Sequence, residues 1–126
     1  MLNNRKAIKK WLDEYKIKKY KINDDMTVDV NGNVDLFGKQ LTEIPIKFNI
    51  VTRCFNCSFN RLTTLIDIEY IDIEDKLCCS NNSYTSFEHW PKRIECWEEI
   101  RKYLTKEQQQ ELIIKEPEWV PIVSML

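Results

Sequence analysis

The chain has 126 residues, of which 43% are hydrophobic and 31% are charged, and its formal net charge is -1. This length and composition predict one folded domain and exclude an intrinsically disordered chain. No apolar run approaches the roughly 20 residues that a transmembrane helix needs, and no secretory signal pattern opens the sequence. We therefore expect a cytoplasmic protein whose five cysteines are reduced.

The charges are unevenly distributed along the chain. Residues 1–21 carry eight Lys or Arg side chains against two acids, whereas residues 22–90 carry eleven acids against five bases. We expect a basic N-terminal end on an acidic body. A basic end can contact nucleic acid, and an acidic body can meet a basic partner. Both alternatives stay open beside the simpler interpretation of solvated charged faces.

The first predicted element is an N-terminal helix over residues 1–21. Four apolar residues recur at the spacing i, i+3, i+4 and i+7 of one helical face: Ile8, Trp11, Leu12 and Tyr15. Asn4 stands where an N-cap is expected. The apolar face favours a helix that caps the core over a basic helix that stands free.

Residues 22–33 are predicted to form a hairpin that extends this cap. Asn31-Gly32 lies between two segments in which apolar and polar residues alternate, and this dipeptide is a strong signal for a two-residue hairpin turn. Such a hairpin would cover the edge of the strand that follows and keep it from pairing with another chain.

Three segments within residues 34–96 align without gaps, and their starts lie 21 and 22 residues apart. They read VDLFGKQLTEI from Val34, FNCSFNRLTTL from Phe55 and LCCSNNSYTSF from Leu77. The apolar positions coincide in all three, and Asn60 aligns with Asn82 and with Lys39. Each segment is expected to begin as a short strand with one buried face. At the turn that follows, the Asn side chain can bond backbone groups left unpaired.

This repeated spacing resembles the leucine-rich-repeat family, and more closely the small leucine-rich-repeat-like proteins that bacteriophages and large DNA viruses encode. The resemblance covers residues 22–96, and the expected Pro follows the first and third copies but not the second. It implies an α/β fold, a short solenoid of about three coils. The N-terminal helix and hairpin would cap one end, and residues 97–126 would form a helical C-terminal cap and tail. We expect a single domain over residues 1–126.

The strands also predict where a partner would bind. Successive side chains of a strand point to opposite faces, so the residues between the buried positions should form an outward row. The resemblance implies that this concave side of the sheet is the partner surface. The predicted partner-binding residues, called the ladder below, are Asn33, Asp35, Phe37, Cys54, Asn56, Ser58, Lys76, Cys78 and Ser80.

The cysteines allow a second interpretation, because Cys54 and Cys57 form a CxxC pair of the kind that binds zinc. Cys78 and Cys79 are adjacent, however, and neighbours on a strand point to opposite faces. The repeat instead places Cys57 and Cys79 at the buried position of Leu36, where a cysteine acts as a small apolar side chain. We predict no metal site and no cofactor.

Two further groups could carry chemistry. His89 is the single histidine and lies beside no recognisable nucleophile motif, so we assign it no catalytic role. The acids of residues 66–75 alternate with isoleucines, which predicts an extended segment with isoleucines inward and acids outward. This pattern favours a solvated face over a calcium loop. We predict that the protein is not an enzyme.

These features together predict a non-catalytic protein–protein interaction module. The resemblance to phage-encoded proteins implies an inhibitor or adaptor that sterically blocks a host protein, such as an anti-phage defence component, in the host cytoplasm. The alternative is a nucleic-acid-associated regulator that uses the basic first helix. We expect a protein partner rather than nucleic acid, and no membrane contact.

Overall fold

The computed structural model of the protein describes residues 1–85, 89–91, 105–107 and 110. Within residues 1–85 the chain forms one α-helix and seven short strands, which are arranged in two sheets. The helix, α1, spans Arg5–Glu14. The strands are β1 Tyr20–Ile22, β2 Val28–Val30, β3 Val34–Asp35, β4 Phe48–Val51, β5 Phe55–Asn56, β6 Asp72–Ile73 and β7 Leu77–Cys78.

The predicted N-cap and apolar face of α1 are confirmed. The Asn4 side chain accepts a hydrogen bond from a backbone N–H of the first turn at 2.9 Å. Ile8 and Leu12 are buried in the core. The helix is shorter than predicted, because it ends at Glu14 and the backbone of Lys16 is left-handed, with φ 58°. A right-handed helix cannot continue through that conformation.

The hairpin predicted at Asn31-Gly32 is wrong. Strand β2 pairs antiparallel with β1, and the loop at Met26 joins them. Met26 has φ 67°, the left-handed position that commonly closes a three-residue hairpin loop. Asn31-Gly32 instead leads the chain from β2 into β3, which belongs to the other sheet. The dipeptide correctly indicates a turn, but a turn signal does not identify which strands pair.

Both sheets contain parallel strands. The first has the order β1-β2-β4-β6, in which β2, β4 and β6 are parallel, and the second is the all-parallel sheet β3-β5-β7. The chain alternates between them from β2 to β7. In the second sheet Val34, Phe55 and Leu77 lie side by side, which are the residues that the sequence alignment made equivalent.

One apolar core joins residues of both sheets and of α1. Leu36, Cys57 and Cys79 occupy equivalent positions in the three aligned segments, and none of them has exposed surface. Their predicted burial is therefore confirmed. The expectation that all cysteines are reduced is wrong for Cys79, which is disulfide-bonded. The spacing of cysteines along the chain carried no signal for that bond.

The predicted fold class, an α/β short leucine-rich-repeat-like solenoid with a hairpin cap, is wrong. The described residues form a mixed α/β fold with one short helix and two small sheets. The prediction assigned one strand to each repeat and therefore missed β4 and β6, whose residues lie outside the aligned segments. The predicted cap at residues 97–126 lies outside the described residues, except for 105–107 and 110.

The extended segment predicted at residues 66–75 is also wrong in part. Residues 66–70 form successive turns, in which the N–H of Ile68 donates to the carbonyl of Leu65. Such turns bring every third residue to the same side, so Leu65 and Ile68 are buried while Ile66 is 51% exposed. The alternation of isoleucines and acids thus predicted the two-residue period of a strand, whereas the turns bury every third residue.

A candidate partner-binding face

The central row of the ladder is assembled as predicted. Asp35, Asn56 and Cys78 are paired across β3, β5 and β7, with Asp35 exposed and the other two half-buried. The N–H of Leu36 donates to the carbonyl of Asn56 at 2.7 Å, and the N–H of Cys57 donates to the carbonyl of Cys78 at 2.8 Å. These backbone bonds hold the three side chains about 4.8 Å apart, at the spacing of neighbouring strands.

Asp35 and Asn56 are also oriented by the same local contact. The Oδ1 atom of each side chain accepts the backbone N–H two residues later, at 3.1 Å from Phe37 and 3.0 Å from Ser58. This contact is an Asx turn, which fixes the side chain against its own backbone. The central row is therefore a preorganised set of polar groups rather than a set of freely rotating ones.

The row that precedes it contains Asn33, Cys54 and Lys76. Asn33 and Lys76 are exposed and Cys54 is half-buried. The side-chain oxygen of Asn33 accepts the backbone N–H of Cys54 at 3.0 Å. Asn33 therefore connects its own segment to the next one. Lys76 is the charged residue of this row.

The row that follows the central one, formed by Phe37, Ser58 and Ser80, is only partly exposed. Phe37 is 49% exposed, whereas Ser58 and Ser80 are buried. The hydroxyl of Ser80 donates to that of Ser58 at 3.5 Å. The two serines were predicted to contact a partner, but they pair with each other inside the fold and offer little surface. Alternation along the strand overestimated exposure here, because the chain already turns at this position.

The turns beyond the strands are held by asparagine side chains, as the sequence predicted. The oxygen of Asn60 accepts the backbone N–H of Leu41 at 2.9 Å, and its amide donates to the carbonyl of Leu36 at 2.7 Å. Asn82 bonds the N–H of Leu62 in the same way at 3.0 Å. Each asparagine therefore connects its own segment to the preceding one and fixes the end of the sheet.

Phe59 is a surface residue that the sequence reasoning missed. Its ring centroid lies 5.0 Å from that of Phe37, and it is 53% exposed. Its backbone is left-handed, with φ 58°, a conformation that costs a residue with a Cβ about 1–2 kcal/mol. The aligned positions are Gly38 and Asn81. The sequence did contain one signal for this left-handed backbone, because Phe59 aligns with Gly38 and Asn81, two residue types that commonly adopt it.

Outside the ladder, His89 is held by Glu69, whose carboxylate lies 2.7 Å from the ring Nδ1. Glu69 also lines a cleft of about 250 Å³ beside β6, together with Ile68, Ile71, Asp72, Ile73, Leu77 and Pro91. The contact ties residues 89–91 to the turns at 66–70.

In the described ranges, no three His, Cys, Asp or Glu side chains meet at a position that could hold a metal ion.

Two basic side chains of the N-terminal end serve the fold. Arg5 donates to the carbonyl of Ile22 at 2.8 Å and pairs with Asp24 at 3.2 Å, which ties α1 to the β1–β2 hairpin. Lys9 lies 2.6 Å from Asp13. Their hydrogen bond lowers the pKa of Asp13 and raises the pKa of Lys9. All eight basic residues of this end are exposed, and six of them form no ion pair in the described ranges: Lys6, Lys10, Lys16, Lys18, Lys19 and Lys21.

Comparisons with known proteins supply no relative. A scan against protein families and searches of curated proteins and of solved structures find no match. Among the residues that the structure describes, no helix is long and apolar enough to cross a membrane. The resemblance to leucine-rich-repeat-like proteins, and the function inferred from it, remain predictions.

Proposed function

We propose that the protein is a non-catalytic protein–protein interaction module that binds through the outer face of the β3-β5-β7 sheet. The observation that carries this proposal is the in-register row of Asp35, Asn56 and Cys78. Backbone pairing and local turns already hold these groups in place, so little conformational freedom is lost on binding. A preorganised face is suited to recognition.

The chemical variety of the face also supports a binding role. It offers the carboxylate of Asp35, the amide of Asn56, the ammonium group of Lys76 and the ring of Phe37. Protein interfaces combine an apolar anchor with surrounding polar groups that fix the register of the partner. The side chains of Asp35 and Asn56 bond their own backbone, which favours a role in shape and hydrogen bonding over proton transfer.

The specific role that we propose is that of a phage-encoded inhibitor or adaptor acting in the host cytoplasm. It would cover the working surface of a host protein, such as an anti-phage defence component, and so block that protein sterically. Support for this role comes from the resemblance of residues 22–96 to small phage-encoded proteins. A steric mechanism requires only a rigid face and no chemistry on the bound protein.

The test is capture from a host lysate with two matched variants. Asn56→Arg places a large cation in the proposed face, whereas Asn49→Arg places it on an exposed residue of β4, in the other sheet. We expect Asn56→Arg to lower recovery of the captured protein at least about tenfold and Asn49→Arg to leave recovery unchanged. Circular dichroism would verify that both variants fold. Recovery that depends on Asn49 and not on Asn56 would move the interface to the other sheet.

A second candidate, a nucleic-acid-associated regulator, is favoured by one observation: seven lysines of the N-terminal end are exposed, and in the described part of the chain only Lys9 among them forms an ion pair. Phosphate contacts release counterions, so the affinity of such a complex falls steeply with salt. If this role holds, Lys6→Gln and Lys10→Gln should each weaken binding to a DNA or RNA duplex and reduce its salt dependence. Weak binding that these changes do not alter would exclude the candidate.

A further inference from the structure

At one aligned position after the strand, each of the three segments has a left-handed residue. These residues are Gly38 with φ 63°, Phe59 with φ 58° and Asn81 with φ 54°. Gly lacks a Cβ, and Asn can bond locally, so both commonly adopt this conformation. A bulky aromatic residue there is an outlier. The other left-handed residues in the described ranges, apart from glycines, have unbranched and flexible side chains: Lys16, Lys19, Met26 and Gln40.

The core does not explain the choice of Phe59. Its flanking residues Ser58 and Asn60 are buried, but its own ring is more than half exposed. The ring contacts Phe37, which is itself about half exposed. Folding alone therefore gains little from an aromatic side chain at this position. A backbone outlier that the fold does not require points toward function, because such conformations concentrate at binding sites.

Charges near the two rings indicate what they would contact. Lys39 and Arg61 each lie two residues from one of the rings, both are exposed, and neither forms an ion pair in the part of the chain that the structure describes. Asp35 is the nearby acid along β3, and one of its oxygens already accepts the N–H of Phe37. Along the chain the rings are thus flanked by two exposed cations, and a cation is complementary to a carboxylate.

We infer that Phe37 and Phe59, called the aromatic pair, bind a segment of the partner protein in which apolar side chains are flanked by Asp or Glu. This inference deepens and rests on the proposed function, since it names the chemistry of the segment that the outer face receives. Aromatic side chains supply a large contact area with only two rotatable bonds, which makes them frequent binding hot spots. Lys39 and Arg61 would select for the acidic flanks.

A library of random peptides displayed on yeast tests the inference with the full chain and without a known partner. The enriched peptides would be synthesised, and their dissociation constants measured at low and raised salt. We expect Leu, Ile or Phe beside Asp or Glu, and weaker binding at raised salt. Phe37→Ser and Phe59→Gly should each weaken binding at least about tenfold. Tyr70→Ser is the matched control, because Tyr70 is an exposed aromatic residue on the turns at 66–70.

Stability separates loss of contact from loss of fold. Because Gly suits the left-handed position, Phe59→Gly should melt at or above the temperature of the unchanged protein while losing the peptides. Peptides without acidic residues, or peptides that Phe59→Gly binds as tightly, would overturn the inference. It would equally be overturned if the pair bound oligo(dT) instead, or if light scattering showed self-association that Phe59→Gly abolishes.

The outcomes also distinguish this inference from the proposed function. If Asn56→Arg loses the selected peptides and Phe59→Gly retains them, the outer face binds but the aromatic pair does not, and the inference fails alone. If no peptide is enriched, the inference also fails, and lysate capture with Asn56→Arg still decides the proposed function. If Asn56→Arg and Phe59→Gly both lose the peptides while Tyr70→Ser keeps them, both proposals are supported.

Discussion

The two sheets differ in how regularly their strands pair. In the β3-β5-β7 sheet, two successive residues of each strand lie beside their aligned counterparts without a shift. In the other sheet β1 is antiparallel, and the register between β2 and β4 shifts between Val28 and Asp29. The regular sheet is built from the aligned segments, whereas β4 and β6 come from the sequences between them. A repeated sequence therefore specifies the register only of the strands that it contains.

The ends of the two sheets are also held differently. Beyond the regular sheet, the buried Asn60 and the half-buried Asn82 bond backbone groups of the neighbouring segment. The other sheet begins with a hairpin whose loop is held by an exposed pair, Arg5 with Asp24, and by part-buried bonds from Thr27 to Asp25. Buried hydrogen bonds are shielded from water and exposed ones compete with it. We therefore expect the regular sheet to respond more strongly to truncation.

The largest effect is expected for Leu62→Ala. Leu62 is buried behind the regular sheet, so its truncation should lower the free energy of unfolding by about 2–5 kcal/mol. Ile50→Ala, in the half-buried middle of β4, should cost about 1 kcal/mol. Urea denaturation of both variants measures the difference. Equal losses would show that the two sheets contribute alike to stability.

Asn60→Ala should have the next largest effect. It removes bonds to Lys39, Leu41 and Leu36 and leaves buried backbone groups unpaired, at a cost of about 1–3 kcal/mol. Asn49→Ala is the matched change in the other sheet. It removes one exposed contact to Asp29 and should shift stability by no more than about 0.5 kcal/mol. Similar thermal shifts for both variants would contradict the buried role of Asn60.

Phe59→Gly should raise stability rather than lower it. Removing the left-handed strain should gain up to about 1 kcal/mol, partly offset by the greater freedom of glycine in the unfolded chain. Met26→Gly is the comparison in the hairpin loop, where the side chain packs against the core and its loss should cancel the gain. Calorimetry measures the midpoint temperature of thermal unfolding for both variants. A clear loss of stability in Phe59→Gly would assign Phe59 a structural role.

The smallest effect on stability is expected from the loss of the Asp25 contact when the pH is lowered. Thr27 donates its hydroxyl and its N–H to Asp25, which lowers the pKa of that carboxyl. A carboxylate with a lowered pKa stabilises the fold above its unfolded pKa of about 3.9, and the contribution is lost as the pH falls through the folded pKa. Asp25→Asn should therefore lower the urea midpoint at neutral pH, and the gap should close as the pH falls below the lowered pKa of Asp25. A gap that persists in acid would require another cause.

Local patterns predicted local features correctly. The cap at Asn4, the buried face of Ile8 and Leu12, and the bonding of Asn60 all follow from interactions within a few residues or from the aligned copies. Strand pairing was not predictable in the same way. The Asn31-Gly32 turn joins two sheets rather than two paired strands, because the choice of partner depends on which distant strands bury their faces together.

The predicted binding face shows the same limit. Its central row was identified because strand alternation places Asp35, Asn56 and Cys78 outward, and their register follows from the alignment. Ser58 and Ser80 were assigned to the surface by the same rule but are buried, because the chain turns before them. Phe59 was missed because nothing in a strand pattern reports a left-handed backbone.

The sequence by itself determined that Leu36, Cys57 and Cys79 are interior and that their three segments are equivalent, since both depend on side-chain polarity and spacing that can be read along the chain. Only the tertiary structure decided that the strands divide between two sheets, that the isoleucine-rich segment turns, and that Phe37 and Phe59 meet at the surface. The reason is physical. Polarity and spacing are local properties, whereas sheet membership and ring contact depend on the packing of residues that are far apart in the chain.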